Sequence, residues 1–177
     1  MKTVLAAAAL LFALLVAVVV VSGFVSPAEH VASVTLELDT PIDIVWERIS
    51  DVEFYSSWRS DLETLELLER SEHLVGTRFR EVGREEPVLF EILQAEPPRK
   101  LVSRIADDEL PFGGQWTFEL RPRSGGGTTL QITEEGFVRS FLFRALGPLF
   151  SKTATMELWL TDLAVSFGEP VRLSQRP

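Results

Sequence analysis

The most apolar stretch of the 177-residue chain lies at its N-terminus, where residues 4–21 form an unbroken run of 18 apolar side chains. At 1.5 Å per residue, a helix of this length spans about 27 Å, close to the roughly 30 Å hydrocarbon core of a bilayer. The run is longer than the h-region of about 7–15 residues in a signal peptide. The pattern therefore predicts a membrane anchor over residues 4–25, with a signal peptide cleaved near Ala28 as the alternative.

Charged residues around this run predict its orientation. Lys2 precedes the run, and acidic residues follow it, with no Lys or Arg before Arg48. Because basic residues favour the cytoplasmic side of a membrane segment, the N-terminus is expected in the cytoplasm. We therefore predict a single-pass protein of the cell membrane, with residues 1–28 as the anchor or signal segment and residues 29–177 as one domain on the extracytoplasmic side. Cleavage near Ala28 would instead release a secreted domain.

In the rest of the chain, some segments space their apolar residues as a strand does and others space them as a helix does. Residues 34–38 place apolar side chains at every second position, which predicts a half-buried strand. Apolar residues at helical spacing over residues 42–49, and again over residues 51–58, predict two short helices. Residues 62–134 then contain about six strand-like segments separated by Gly- and Pro-containing turns, a pattern typical of an antiparallel meander.

A long helix is predicted close to the C-terminus. Met156, Leu160, Leu163 and Phe167 follow one another at steps of three and four residues, so they share one face of a helix. A Gly and a Pro follow within three residues and end the helix. The predicted order is therefore one strand, two short helices, about six strands and one long helix.

This order, together with several junction motifs, resembles the polyketide cyclase/dehydrase and lipid-transport group of the START/Bet v 1-like (SRPBCC) superfamily. The opening PIDIVWERISDVEFYSSW (residues 41–58) is similar to the opening of that group. The EPPRKL turn (residues 96–101) and the GGQWTFEL strand (residues 113–120) are similar to it as well. The resemblance covers roughly residues 31–168.

The resemblance implies an α+β helix-grip fold, in which a curved antiparallel sheet of about six to seven strands surrounds the long C-terminal helix. Two short helices follow the first strand, and the predicted transmembrane helix precedes the domain. The resemblance also implies a cavity between sheet and helix that holds lipids, sterols, polyketides or other apolar ligands. Some members of the group are cyclases or dehydratases, so both binding and catalysis are implied.

Composition narrows the chemistry that such a cavity can support. The chain has no Cys and only two His, which excludes thiol catalysis and leaves little for a metal site. Its net charge of −9 at pH 7 argues against nucleic acid as a partner. We therefore expect no cofactor, no metal and no nucleic-acid partner, and the oligomeric state stays open.

Apolar and aromatic residues are the main candidates for the cavity wall, because pockets for small apolar molecules are lined mostly by such side chains. The alternative for each candidate is an ordinary packed core. The candidates lie on the predicted strands and helices of the domain: Trp58, Phe79, Phe90, Trp116, Phe118, Met156, Trp159, Leu160 and Leu163.

Charged residues within apolar strands are candidates for orienting a ligand. Arg78, Arg104 and Glu119 are the polar cavity candidates. The alternative for each is a position on the water-facing side of the sheet, since charge at alternating positions usually has that meaning.

Groups for acid–base catalysis are few. His30, next to the anchor, and His73, in a turn, are expected to be solvated. Glu134 and Glu135 are neighbours on a strand and therefore point to opposite faces, which argues against a carboxylate pair. No catalytic residue is predicted, and enzymatic activity stays an alternative.

One further segment, SFLFRALGPLF (residues 140–150), is unusually apolar. It is expected either as a gate or bilayer-contacting surface at the cavity entrance, or as a helix packed under the sheet. The leading hypothesis is a membrane-tethered domain that binds or transports an apolar or amphipathic, lipid-like small molecule. The alternatives are a cyclase/dehydratase-type enzyme that uses the same cavity, and a protein-interaction module with a closed core.

Overall fold

The computed structural model describes residues 23–83, 86–146 and 151–176, together with residues 10, 11, 14, 17 and 21. From residue 29 onward the elements follow one another as β1 (Glu29–Leu38), α1 (Ile42–Ser50), a 3₁₀ helix (Val52–Ser57), β2 (Leu62–Glu69), β3 (Arg78–Gly83), β4 (Val88–Glu96), β5 (Lys100–Ile105), β6 (Phe112–Pro122), β7 (Thr128–Val138), α2 (Phe141–Leu146), α3 (Ala154–Ser166) and β8 (Leu173–Arg176).

These strands form one antiparallel sheet in the order β2-β3-β4-β5-β6-β7-β1-β8. Strands β2 to β7 are neighbours in the sheet in the order in which they follow one another along the chain, as the turn pattern predicts. β1 pairs with β7 along its whole length, from Glu29 opposite Phe137 to Leu38 opposite Thr128. The fold is therefore α+β, with an open antiparallel sheet and few helices.

Alternation along β1 determines which face of the sheet is inside. Val34, Leu36 and Leu38 are fully buried, whereas Thr35 and Glu37 between them point to the other face. The half-buried first strand is thus present where the sequence predicts it. The same alternation on the neighbouring strands produces one apolar inner face, against which the helices pack.

Helix α3 covers this inner face and completes the core. Met156, Leu160 and Leu163 are fully buried among side chains of the strands and of α1. Val45 and Ile49 of α1 are also fully buried in the same cluster. Because burying one such side chain contributes about 1.5–3 kcal/mol, α3 supplies a large share of the stability of the domain.

The C-terminal segment corrects one part of the sequence prediction. Leu173–Arg176 forms β8 at the outer edge of β1, so the sheet has eight strands rather than about six to seven. Glu169 accepts hydrogen bonds from the backbone nitrogens of Asp39 and Thr40, and Arg172 forms an ion pair with Asp39 at 2.8 Å. These contacts hold the segment against β1, whereas no apolar alternation marks it in the sequence.

The predicted anchor over residues 4–25 lies largely outside the described residues. Among the residues that the structure does describe, no helix is both long enough and apolar enough to cross a membrane. The anchor and its alternative, a cleaved signal peptide, therefore stay predictions from the sequence.

Candidate functional site

The candidate site is a cavity of about 890 Å³ between the inner face of the sheet and the first turns of α3. Strands β2 to β7 contribute to its wall, and the 3₁₀ helix and the loop after it contribute further residues. On β5 the lining residues are Leu101, Ser103 and Ile105, because only every second side chain of a strand faces inward. The cavity therefore follows from the same alternation that builds the core.

A second depression, of about 980 Å³, lies beside α1 and the loop between β2 and β3. Its lining is mostly charged and polar, and includes Glu47, Asp51, Arg70 and Glu72. Pockets for small molecules are usually apolar with a few polar groups. The cavity under α3 has that character and the larger depression does not, so the cavity under α3 is the candidate site.

Aromatic rings form much of the cavity wall. Phe79 and Phe90 stack with their centroids 5.6 Å apart and their planes inclined by 16°. Phe118 lies between Trp116 and Trp159, with centroid distances of 6.0 and 5.1 Å. Aromatic pairs attract one another when their centroids are about 4.5–7 Å apart. The rings therefore hold one another in place and present a broad apolar surface to a ligand.

The structure places five of the nine apolar candidates in the cavity lining. Met156, Leu160 and Leu163 are not among them, since they are fully buried in the closed core. Trp58 packs against Trp159 with centroids 5.1 Å apart and does not line the cavity. Helix α3 is apolar on more than one side, so its periodicity could not tell which side faces the cavity. The five lining candidates are Phe79, Phe90, Trp116, Phe118 and Trp159.

One corner of the cavity holds a buried guanidinium. Arg59 follows the 3₁₀ helix, and its side chain is only 5% exposed. Its Nε and Nη2 donate to the two carboxylate oxygens of Asp61 at 3.1 and 2.6 Å, and its Nη1 donates to Oε1 of Glu81 at 2.5 Å. All three residues line the cavity. They therefore offer polar groups to a ligand within a largely apolar wall.

Burial influences the protonation of this corner. It raises the pKa of Glu81 against the opposing charge of Arg59, and the charge of Asp61 adds to the rise. Burial also raises the pKa of Tyr55, whose hydroxyl donates to the backbone carbonyl of Ile49 at 2.6 Å. Burial lowers the pKa of Arg59, but the two carboxylates outweigh it and the net shift is upward. Glu81 is therefore a carboxyl group suited to holding a proton inside the cavity.

A second polar group of the cavity stands on β7. Oε2 of Glu134 accepts a hydrogen bond from Nε1 of Trp116 at 3.0 Å, and Oε1 lies 3.1 Å from Nε2 of His30. The prediction that His30 is solvated is wrong, because the pairing of β1 with β7 brings its ring against Glu134, and its side chain is 19% exposed. Glu135 binds Gln115 in an exposed position, as expected for a neighbour that points to the other face.

The three charged residues that the sequence proposes for the cavity do not line it. Arg104 is half exposed and donates to Glu91 at 2.7 Å. Arg78 stands opposite Glu91 on the neighbouring strand, and the side chain of Glu119 is also well exposed. Each of the three candidates is next to an inward-facing residue on its own strand, so alternation turns it outward.

In the described part of the chain, no group of three or more His, Asp or Glu side chains is placed to hold a metal ion. Two of the cavity carboxylates, those of Asp61 and Glu81, share Arg59, whose positive charge opposes the binding of a cation between them.

Comparison with known proteins identifies the family. Residues 29–164 match the family model described as polyketide cyclase / dehydrase and lipid transport. The match covers most of the chain, including β1 to β7 and most of α3. The chain belongs to this family. No curated protein matches it significantly.

Solved structures share the fold of this family member at low sequence identity. A START superfamily protein from Mycobacterium smegmatis has 16% identity and a TM-score of 0.62 over 77% of this chain and 96% of that one. A protein from Thermobifida fusca has 21% identity and a TM-score of 0.63 over 80% and 94%. Norcoclaurine synthase from Thalictrum flavum, in complex with dopamine and hydroxybenzaldehyde, has 14% identity and a TM-score of 0.64 over 86% and 94%. At these identities, the likeness shows a common fold.

The sequence analysis of this family member did not assign Arg59, Glu81 or Glu134 to the cavity. A signal for two of them is present in the alternation of the strands. Glu81 comes two residues after the buried Phe79, and Glu134 comes two residues after the buried Ile132. Residues two apart on a strand share a face, so both carboxylates had to point inward. No comparable signal marks Arg59, which lies in a loop.

Proposed function

We propose that the protein binds and carries an apolar or amphipathic, lipid-like small molecule in this cavity, in a domain tethered to the membrane by residues 4–25. The observation that supports binding is a cavity of about 890 Å³ with an aromatic and aliphatic wall. Its volume falls within the range of about 300–1,000 Å³ that is typical of small-molecule pockets. A protein-interaction module with a closed core would have no such cavity.

The charged groups of the cavity favour a ligand whose polar group is neutral or basic. Among the lining residues that the structure describes, Asp61, Glu81, Glu86 and Glu134 are acidic and Arg59 is basic. A ligand carboxylate would meet like charge in a wall of low dielectric constant, whereas a hydroxyl or ammonium group can donate to a carboxylate oxygen. The proposed ligand is therefore an amphipathic molecule with an uncharged or cationic head.

The tether and its orientation are proposed from the sequence. The apolar run over residues 4–21 is long enough to span a bilayer, and the charges around it favour an extracytoplasmic domain. N-terminal sequencing of the mature protein tests the tether. A membrane-fraction protein that retains residues 4–25 is expected. A soluble protein that begins at Glu29 would overturn the tether and leave the cavity proposal standing.

A cyclase/dehydratase-type enzyme is the second candidate, and Glu81 is the observation that favours it. A buried carboxyl group with a raised pKa in a cavity is the kind of group that acts as a general acid or base. Norcoclaurine synthase, which shares the fold, is in complex with dopamine and hydroxybenzaldehyde. Turnover of a bound molecule that is lost in Glu81→Gln, while binding is retained, would establish the enzyme over the carrier.

Photolabelling of the purified full-length chain tests binding directly. The probe is a long-chain alcohol that carries a diazirine, and peptide mapping locates its adducts. Ser103→Trp places an indole in the cavity, because Ser103 lines it on β5. Arg104→Trp is the matched control, since it adds the same indole at the next position of the strand, on the opposite face.

The expected result is saturable labelling of cavity residues in the wild type and in Arg104→Trp, with labelling reduced at least about fivefold in Ser103→Trp, equivalent to about 1 kcal/mol. Labelling that is spread over the surface, or equal in the two variants, would overturn the proposal that the cavity is the binding site. Circular dichroism of both variants establishes that they retain the fold of the wild type.

A further inference from the structure

Exposed apolar side chains gather at one end of the sheet, where β1 and β6 begin and β7 ends. Leu142 and Phe143 of α2 are 64% and 57% exposed, and Phe24, which precedes β1, is 78% exposed. Neighbouring groups of exposed apolar residues mark interaction surfaces, whereas single ones are common. We name this surface the apolar end, and its residues are Phe24, Val25, Phe112, Leu142 and Phe143.

The chain that leaves the apolar run packs directly on α2. The rings of Phe24 and Phe141 meet edge to face with their centroids 5.2 Å apart. Gly23 approaches so closely that an added Cβ would lie 2.6 Å from the ring of Phe141. The backbone nitrogen of Val138 also donates to the carbonyl of Ala28 at 2.7 Å. Helix α2 is therefore fixed beside the last residues of the predicted membrane segment.

The distance along the chain places α2 at the depth of the lipid headgroups. The contact at Phe24 comes three residues after the apolar run ends at Val21. Three residues of a helix rise about 4.5 Å. The headgroup region on each side of the roughly 30 Å hydrocarbon core is about 5–8 Å thick. A surface that packs on Phe24 is thus within the headgroup layer when residues 4–21 span the bilayer.

The chain segment that contains α2 is basic, whereas the loop before Phe112 carries Asp107, Asp108 and Glu109. Residues 136–156 contain no Asp or Glu, although the chain has 26 such residues in total. The same stretch contains three basic residues, Arg139, Arg144 and Lys152. Exposed apolar side chains flanked by basic ones are typical of segments that lie in the membrane interface, where cations meet lipid phosphates.

The cavity extends to this surface. Phe112 belongs both to the apolar end and to the cavity lining, and Gly113 and Gly114, which follow it on β6, line the cavity as well. Leu158 of α3 lines the cavity from the helix side and is 41% exposed. A ligand that crosses the wall beside Phe112 therefore meets the apolar end.

We propose that the apolar end rests in the boundary between headgroups and hydrocarbon of the bilayer that residues 4–25 enter. The cavity then takes up and releases its ligand through the bilayer rather than through water. This inference rests on the proposed function, because it presupposes both a ligand cavity and a membrane tether. A soluble protein partner or a second copy of the chain on this surface is an alternative that the following experiments exclude or establish.

The depth of the apolar end can be measured with spin labels, because the chain has no native Cys to remove. Single-Cys variants of the full chain at Leu14, Phe143 and Arg121 are labelled and reconstituted in phosphatidylcholine nanodiscs. Leu14 reports on the membrane segment and Phe143 on the apolar end. Arg121 is the aqueous reference, since it lies nine residues along β6 from Phe112, which corresponds to about 30 Å.

The relative accessibility to oxygen and to a water-soluble nickel complex gives the depth of each label. We expect the label at Leu14 in the hydrocarbon core, the label at Phe143 at the interface and the label at Arg121 in water. A label at Phe143 that is as accessible to nickel as the label at Arg121, with Leu14 still in the core, would overturn this inference alone. A label at Leu14 in water would overturn the tether as well. A label at Phe143 that is shielded from both reagents would indicate a protein partner.

The route of the ligand is tested by delivering the diazirine alcohol in two ways, from the nanodisc bilayer and from cyclodextrin in water. The variant is Leu142→Glu/Phe143→Glu, whose side chains are exposed and whose fold is therefore expected to persist. The matched control is Phe54→Glu, which changes an equally exposed Phe of the 3₁₀ helix (61% exposed).

We expect the double variant to reduce cavity labelling from the bilayer about tenfold and to leave labelling from cyclodextrin unchanged, whereas Phe54→Glu changes neither. Equal labelling from the bilayer in the double variant and the wild type would overturn the inference about the route. An absence of cavity labelling by either route in the wild type would overturn the cavity proposal and this inference with it.

Discussion

Arg59 and Glu81 lie side by side in the cavity wall, with 2.5 Å between Nη1 of the guanidinium and Oε1 of the carboxyl group, although 22 residues separate them in the sequence. Asp61 binds the other edge of the same guanidinium through two hydrogen bonds. Two carboxyl groups thus share one cation. The net charge of these three side chains is therefore zero when Glu81 is protonated and negative when Glu81 is ionised.

Removal of Arg59 is expected to destabilise the fold strongly. In Arg59→Ala, Glu81 stays in the wall without its cation, and breaking a buried ion pair in this way costs about 3–5 kcal/mol. Arg80→Ala is the control, because Arg80 is the neighbour of Glu81 on β3 and pairs with Glu66 in an exposed position. Its loss is expected to cost at most about 1 kcal/mol. Chemical denaturation of both full-length variants measures the difference, and equal midpoints would contradict a structural role for the buried pair.

The raised pKa of Glu81 predicts a pH dependence of stability. At pH values between the ordinary pKa of 4.5 and the raised pKa of the folded state, Glu81 is protonated in the folded chain and ionised in the unfolded chain. The free energy of unfolding therefore falls as the pH rises through this window. Arg172 lowers the pKa of Asp39, so the contribution of Asp39 is lost only as the pH falls below about its ordinary value of 3.8, outside the window.

Denaturation between pH 4 and pH 8 compares the wild type with Glu81→Gln, which cannot titrate at this position. We expect the variant to lack the decline that the wild type shows above pH 4.5. Glu66→Gln is the control, since Glu66 is half exposed, and its curve should follow that of the wild type. A Glu81→Gln curve parallel to the wild type would show that Glu81 titrates normally in the folded chain.

The sheet could be predicted from local alternation, whereas the polar cavity groups could not all be found this way. Val34, Leu36 and Leu38 mark the inner face of β1 without reference to any other strand. The contact of His30 with Glu134 joins residues 104 positions apart, and only the register of β1 with β7 creates it. Long-range pairing is a property of the assembled sheet, so a single strand carries no sign of it.

In helix α3, the sequence pattern likewise could not distinguish the apolar residues of the core from those of the cavity wall. Met156, Leu160 and Leu163 share a face by spacing, and that face is buried as expected. Thr155 and Leu158 nevertheless line the cavity, since the helix meets the core with one side and the cavity with another. Periodicity predicts that a face is buried, but only the packed structure distinguishes a closed core from an open cavity wall.

The charge of the cavity predicts which head groups bind. Unlabelled long-chain amine, alcohol and acid of equal length compete with the diazirine alcohol at pH 7. We expect the amine and the alcohol to compete at least about tenfold better than the acid, a difference of about 1.4 kcal/mol, because the acid meets the cavity carboxylates. Glu134→Gln removes one of these charges and should narrow the difference between acid and alcohol. A fatty acid that competes best would contradict the proposed class of ligand.

The same substitution at two positions of α3 separates the closed core from the cavity wall. Leu160 is fully buried and does not line the cavity, so Leu160→Trp forces extra volume into a packed core and should cost about 1–3 kcal/mol. Leu158 lines the cavity and is partly exposed, so Leu158→Trp should cost about 0.5 kcal/mol or less.

Because an indole at position 158 has room to enter the cavity, it should also reduce photolabelling by the diazirine alcohol, whereas Leu160→Trp should leave labelling of the folded protein unchanged. Denaturation midpoints and adduct yields of both variants test the pair together. A Leu160→Trp variant that keeps wild-type stability and loses labelling would mean that the cavity extends to the opposite side of α3, beneath Leu160 rather than Leu158.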